Sequence, residues 1–410
     1  MPAWTIMSAK GNTGTAVNNG TSPFVAPMGG LRTLNTVENR SQFLARDTYT
    51  WSRLYVRVTA NGLTAATTIV SRKNGANGNQ SITIGSGATG VFSDEVNSDG
   101  LVSGDLFNSQ IVAGATGVTI TFTIVASRLF SSSAVPILGL ADDSSVVTFG
   151  QTRYDILAGE PEDTATELDC QYTFRVAATL SNLRAFISAN DLDAAVTIRT
   201  RINGINGAQS LSIGAAATGS FEDAVNTDAI VTGNLVNYQI VAAGTVGSIT
   251  YRIIQLKSAA TGRQAIASRA GLGSDAFGTT FYRTLEGSVA GSATESDCQA
   301  AARGAFVGKN LFARCTANTL DGATTVGSRK NGAAGNLSLS IGAGATGAFE
   351  DTVNADSFAD LDLVDSIMTR GGTAGNSSIG IVGLEQQQPA VMAAPKFGSL
   401  LVRMRAIGGI

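Results

Sequence analysis

The stretch "RKNGANGNQSITIGSGATGVF", Arg72 to Phe92, returns as "RINGINGAQSLSIGAAATGSF" from Arg201 to Phe221 and as "RKNGAAGNLSLSIGAGATGAF" from Arg329 to Phe349. Asn74, Asn203 and Asn331 keep the same interval as Leu54, Leu183 and Leu311 and as the triplets opening at Ala88, Ala217 and Ala345. The period, about 130 residues, is too long for a solenoid unit of roughly 20–50 and has the size of a domain. The chain therefore reads as three tandem copies of one domain. The expected boundaries are 1–35 for an N-terminal arm and first strands, 36–133, 134–261 and 262–384 for the repeats, and 385–410 for a C-terminal extended arm.

Within a copy the pattern is β. Val196, Ile198, Thr200 and Ile202 alternate with Thr197, Arg199 and Arg201, the period of two of a half-buried strand. Asn203-Gly204 breaks it, and Leu211 and Ile213 then point one way along the next run. The "GATG" segment supplies a turn needing positive φ, which glycine tolerates best. Phe92, Phe221 and Phe349 follow as candidate core plugs. Seven or eight short strands per copy, with turns between them, predict an all-β chain of three antiparallel β-sandwich or jelly-roll-like domains. The copies can pack about a pseudo-threefold axis or follow one another as a rod.

Composition narrows the chemistry. Charged residues are 14%, the net charge is −3, and there is no histidine. No basic run marks a nucleic-acid footprint or a membrane patch. Without histidine, Ser-His-Asp and Cys-His schemes in their usual form and imidazole metal sites are excluded. No Walker loop or dinucleotide fingerprint is present. An enzyme is not expected, and neither is a cofactor, calcium aside. Cys170 and Cys298 occupy matching places and Cys315 stands where Ile187 does, so they read as small buried hydrophobes, with a Cys298–Cys315 bridge as the alternative. No charged region followed by an apolar one opens the chain, so no secretory signal is expected.

The acidic constellation D-x-x-N-x-D recurs as Asp94, Asn97, Asp99; as Asp223, Asn226, Asp228; and as Asp351, Asn354, Asp356, with Asp105, Asn234 and Asp362 farther on. One reading is an oxygen-only Ca²⁺ site; the other is turns in which the side chains satisfy loop backbone. Arg72, Arg201 and Arg329 read either as anion binders or as partners of the acidic loop in their own module, or as stems lying on the sandwich surface. The aromatics Tyr55, Phe186 and Phe312 fit a core as well as a sugar platform. In the tail, Val402, Met404 and Ala406 alternate with Arg403 and Arg405, so Val402, Arg403, Met404 and Arg405 are candidate assembly residues in a strand added to an edge.

The thrice-written run, from "RKNG" through "GATG" to the D-x-x-N-x-D residues, resembles the Gly/Thr-rich tandem β-sandwich repeats of tailed-bacteriophage virion proteins: head decoration, head-fibre and tail-fibre subunits. The resemblance implies a structural subunit attached to a capsid or tail, partnered by other virion proteins or copies of itself, located in the virion and made in the host cytoplasm without a signal peptide. It carries no site residues. The alternative function is a receptor- or glycan-binding adhesin module on a phage fibre or bacterial surface, where triplication gives avidity.

Overall fold

The computed structural model describes residues 3–31, 34–131, 137–159, 163–260, 263–269, 275–285 and 291–388. Among the described residues the chain is all-β: strands account for the regular structure apart from three single-turn 3₁₀ segments, Glu38–Arg40, Glu167–Asp169 and Glu295–Asp297. Among the described residues no helix is long and apolar enough to cross a membrane.

The second module shows the plan. Its long sheet has the order Ile137–Thr148, Ser248–Ala259, Ala178–Asn190, Gly219–Ile230. Its short sheet has the order Thr152–Asp155, Leu235–Ala242, Val196–Ile202, Ile205–Ile213. Numbered along the module, strands one, three, six and eight make the long sheet, and two, four, five and seven make the short one. The chain thus crosses repeatedly between two antiparallel sheets, which is jelly-roll topology. The first module repeats it, with third to sixth strands Tyr49–Leu63, Thr67–Lys73, Ala76–Ile84 and Gly90–Leu101, and so does the third, with Phe306–Asn318, Thr324–Lys330, Ala333–Ile341 and Gly347–Phe358.

The alternation read from sequence sets the inward faces. Val196, Ile198, Leu211 and Ile213 are buried together with Leu183, Ile240 and Leu256 in one apolar cluster, and sibling clusters fill the other modules. Phe92, Phe221 and Phe349 are partly buried, packed against the edges of these clusters. The Asn-Gly pairs have positive φ at both residues (51° and 77° at Asn203 and Gly204), the mirror-image turn whose twist matches a hairpin.

The segment 1–35, read as an N-terminal arm and first strands, opens on a strand of the first module: Ala3–Asn18 pairs antiparallel with Gly117–Ser131. Its register shifts between Lys10 and Thr15, and that irregularity hides the strand's period from the sequence. At the other end, the eighth strand of the third module, Asn376–Gln387, runs slightly beyond residue 384. The tail residues Val402, Arg403, Met404 and Arg405 lie outside the described residues.

The three modules close into a ring. The first touches the second, the second the third, and the third returns to the first, each through the same two surfaces. This is the pseudo-threefold arrangement and not the rod.

Candidate assembly interfaces

The ring junctions are built from one repeated device. Between its second and third strands each module projects a short segment that ends in an arginine: Arg46, Arg175 and Arg303, at equivalent repeat positions. Each arginine is buried and meets a glutamate on the sixth strand of the next module. Arg46 pairs with Glu222 at 2.6 Å, Arg175 with Glu350, and Arg303 with Glu95. The glutamates keep about a third of their side-chain surface exposed (32%, 35% and 36%), so each pair is a buried cation capped by a half-solvated anion.

The rest of each junction differs. In the first, Leu44 donates its N–H to Gln255 Oε1 and accepts from Gln255 Nε2 through its carbonyl, both at 2.9 Å, so the amide mimics a neighbouring strand. Phe43 and Ala45 pack with Ile253 and Phe186, and a Cβ on Gly139 would lie 2.7 Å from the Phe43 ring. Arg184 Nη1 donates to Gln255 Oε1 at 3.0 Å, and burial beside Arg46 pulls its guanidinium down to about 10. In the second junction Phe312 stands at the place of Arg184. Tyr172 meets it edge-on at 5.0 Å, and Arg175 stacks on it at 5.3 Å. In the third, Tyr55 holds that place under Arg303 at 5.5 Å, among Ile124, Ala126, Ala300 and Ala301. Here Arg303 Nε also donates to the Arg53 carbonyl at 3.1 Å, and Arg53 bridges to Asp360. The aromatics Tyr55, Phe186 and Phe312 are therefore junction residues.

The D-x-x-N-x-D residues have a different task. Among the described residues the fifth strand of each module pairs only with the fourth, which leaves its outer edge without a strand. Carboxylates of the sixth strand, on the opposite sheet, accept the N–H groups of that edge. Asp94 takes the N–H of Ser81 at 2.9 Å and Asp99 that of Asn79 at 2.6 Å. Asp223 takes Ser210 at 2.9 Å and Asp228 takes Ala208 at 2.6 Å. Asp351 takes Ser338 at 2.9 Å and Asp356 takes Asn336 at 2.7 Å. The carboxylates replace the missing strand and close an edge that would otherwise template strand addition. Gly78 has to be glycine here: a Cβ would fall 2.5 Å from Asp99 Oδ1.

Each first aspartate also pins a bulge. Asp94 Oδ1 accepts from the N–H groups of Val96 and Asn97 and, with Oδ2, from the Asn97 side chain. Asp223 and Asp351 do the same for their siblings. Burial raises these three carboxyls, but the hydrogen bonds from Asn97, Ser81 and Val96, and from their siblings, outweigh it, and all three lie below the ordinary carboxylate value. Their oxygens are filled by N–H donors, and among the described residues no three acidic or cysteine side chains converge to hold a metal. The geometry matches the backbone-satisfying reading of the motif.

The change from Asp105 to Asn234 also has a cause. Asp105 and Asp362 accept from Lys73 and Lys330 at 2.9 and 3.0 Å. Where the second module has asparagine, the lysine position is Ile202, so cation and anion are lost together. The turn-capping role survives, because Val231 donates to Asn234 Oδ1 at 2.9 Å as Val102 does to Asp105 at 2.8 Å.

Arg72, Arg201 and Arg329 each form a two-pronged pair with Glu38, Glu167 and Glu295 of the 3₁₀ turn in their own module. They are internal staples between two crossings of the chain, and the acid they use is not the repeated aspartate motif. The three cysteines are buried thiols outside any disulfide, and the Cys298–Cys315 bridge is not made. Cys170 and Cys298 donate to the carbonyls of Tyr154 and Tyr282.

No family model and no curated protein matches the chain. Solved structures with some likeness include that of Sulfolobus Turreted Icosahedral Virus, at 12% identity over 92% of this chain and 92% of that one, with a TM-score of 0.20. "The Triple Jelly Roll Fold and Turret Assembly in an Archaeal Virus" is at 11% over 93% and 90%, with a TM-score of 0.21. The VP2 subviral particle of infectious bursal disease virus is at 9% over 95% and 81%, with a TM-score of 0.20. Scores this low bear no weight, and the jelly-roll assignment rests on the strand order alone.

Proposed function

We propose that this chain is a non-enzymatic structural subunit of a virus particle, in which one polypeptide fills the place of a trimer. The closed ring of three jelly-roll modules carries the reading. Jelly rolls serve as shell domains and as lectin-type binding domains. A lectin-type site calls for exposed recognition groups, but here Tyr55, Phe186 and Phe312 lie at the junctions between modules. The repeated carboxylates and arginines are likewise paired within the chain. What remains is a closed block whose fifth-strand edges are sealed, suited to being one tile among many.

Within this reading a ring favours a seat on the capsid, as shell or decoration, over a fibre or tail position. The tail residues Val402 to Arg405 would tie the tile to a neighbour as an added strand. Mass spectrometry of purified particles from the source tests the proposal. Abundant copies per particle support a capsid seat, and a few copies support a fibre or tail seat. Absence from particles overturns the proposal and turns attention to a surface adhesin.

A further inference from the structure

We propose that Asn203 is a modification site: its side-chain amide converts to a carboxylate in preference to Asn74 and Asn331, which hold the same place in the other modules. All three open the same turn and precede a glycine. The φ angles are 50° and 80° at Asn74 and Gly75, 51° and 77° at Asn203 and Gly204, and 51° and 80° at Asn331 and Gly332. Each Oδ1 accepts the N–H that opens the seventh strand, from Leu106, Leu235 or Leu363, at 2.8 Å. The three differ in what the amide nitrogen meets. Asn74 Nδ2 donates to Asp105 Oδ1 and Asn331 Nδ2 to Asp362 Oδ1, both at 2.7 Å. In the second module the matching residue is Asn234. Its Oδ1 accepts from the Val231 N–H, the bond that Oδ2 of the aspartate makes in the sibling modules. Backbone N–H groups therefore fix both amides, and turning either one over would set N–H against N–H. The Asn234 nitrogen is left where the aspartate oxygen would be, so two NH₂ groups face each other, donor against donor. Among the described residues neither nitrogen makes a hydrogen bond.

Asparagine is a labile residue, and glycine puts no side chain in the way of attack on it. The Gly204 nitrogen bonds to Asn203 Cγ, the Cγ–Nδ2 bond breaks, and ammonia leaves with the proton of the glycine N–H. Water then opens the cyclic imide at either carbonyl, giving an aspartate or its β-linked isomer. Water is the only co-reactant. For the attack the side chain has to leave its cap. At Asn74 and Asn331 this breaks two hydrogen bonds, one of them to a carboxylate. At Asn203 it breaks one and relieves the mismatch. The backbone is alike at all three turns and cancels in the comparison. The product fits as well. A carboxylate at this place can accept from Leu235 with one oxygen and from Asn234 Nδ2 with the other, which is the sibling pair with acid and amide exchanged.

The test is to hold the purified full chain at mildly alkaline pH and follow the amide-to-acid mass gain by peptide mass spectrometry. Fragmentation separates Asn203 from Asn206, whose Oδ1 is held by Arg201. Asn203 is expected to convert on the order of 10-fold faster than Asn74 and Asn331, the difference that one hydrogen bond to a charged group makes. Asn234→Asp, which installs the residue of the sibling modules, should slow Asn203 to their rate. Equal rates at the three turns in the wild type overturn the proposal. So does an Asn234→Asp chain in which Asn203 converts as fast as before.

Discussion

Arg303→Glu is the sharpest test of the ring, because the junction it breaks joins the first module to the last and no chain connection holds it shut. The substitution removes the Arg303–Glu95 pair, worth about 1 kcal/mol with its anion partly in water. It leaves the Arg53 carbonyl without its donor, at about 1–2 kcal/mol, and deletes the stacking on Tyr55, about 1 kcal/mol. It also turns a carboxylate toward Glu95. Together these come to about 4 kcal/mol or more, a drop of roughly 10³-fold in the closure constant. The modules' own cores are untouched, so the change should appear in shape before stability. A sandwich of about 130 residues has a radius of gyration of about 14 Å. Three such spheres in a touching triangle give about 25 Å, and three in a row about 33 Å. Small-angle scattering should therefore place wild type near the lower value and Arg303→Glu well above it. Adding Glu95→Arg should bring the radius back down by restoring the pair in reverse. If Arg303→Glu keeps the wild-type radius, the arginine junction does not hold the ring. If the reverse pair fails to recover it, the charge pairing is not the cause.

Removing an edge seal should cost less but have wider consequences. Asp228→Ala strands the Ala208 N–H and the Thr200 hydroxyl, costing about 1–3 kcal/mol in thermal unfolding, and the reopened fifth-strand edge should raise aggregation in light scattering on warming. The pH dependence follows from Asp94, Asp223 and Asp351, whose folded values are depressed. Stability from a depressed carboxyl is fully present above the unfolded value of about 3.9 and is lost as pH falls through the folded value. The denaturant midpoint should thus be insensitive to these groups at neutral pH and fall steeply below about pH 4; a midpoint that declines between neutrality and about pH 5 would point to other groups. Because the same oxygens are occupied by N–H donors, added calcium or a chelator should leave the melting curve where it was, and a clear calcium-dependent rise would support the metal reading of these residues.

The sequence carried the module and its hairpins well. Asn203-Gly204 and the alternation of Val196 to Ile202 are local signals, and each copy repeated them. What it hid was whatever depends on how distant strands meet. The first strand was obscured by the irregularity after Lys10. The acidic motif was visible, but its partners, the N–H groups of Ser81 and Asn79, are identified only once two sheets are stacked edge over edge. The junction arginines were missed for a similar reason. Arg46, Arg175 and Arg303 keep the repeat interval, yet they sit in the unlike settings "LARD", "TFRV" and "AARG", and a contact between modules leaves no periodic trace in either one.

Carrying three modules on one polypeptide changes what mutation can do to the junctions. In a trimer of identical subunits, any substitution appears at all three junctions at once, and its energetic effect is tripled. Here a change at one junction stays there. Tyr55, Arg184 and Phe312 occupy one structural seat with three different chemistries, and Arg53 bridges to Asp360 where its siblings are Asn182 and Asn310. The outline keeps its threefold form while the chemistry has become singular. Each chain therefore has a marked side, and a neighbour able to read the Arg53–Asp360 corner could fix the rotational setting of the whole molecule.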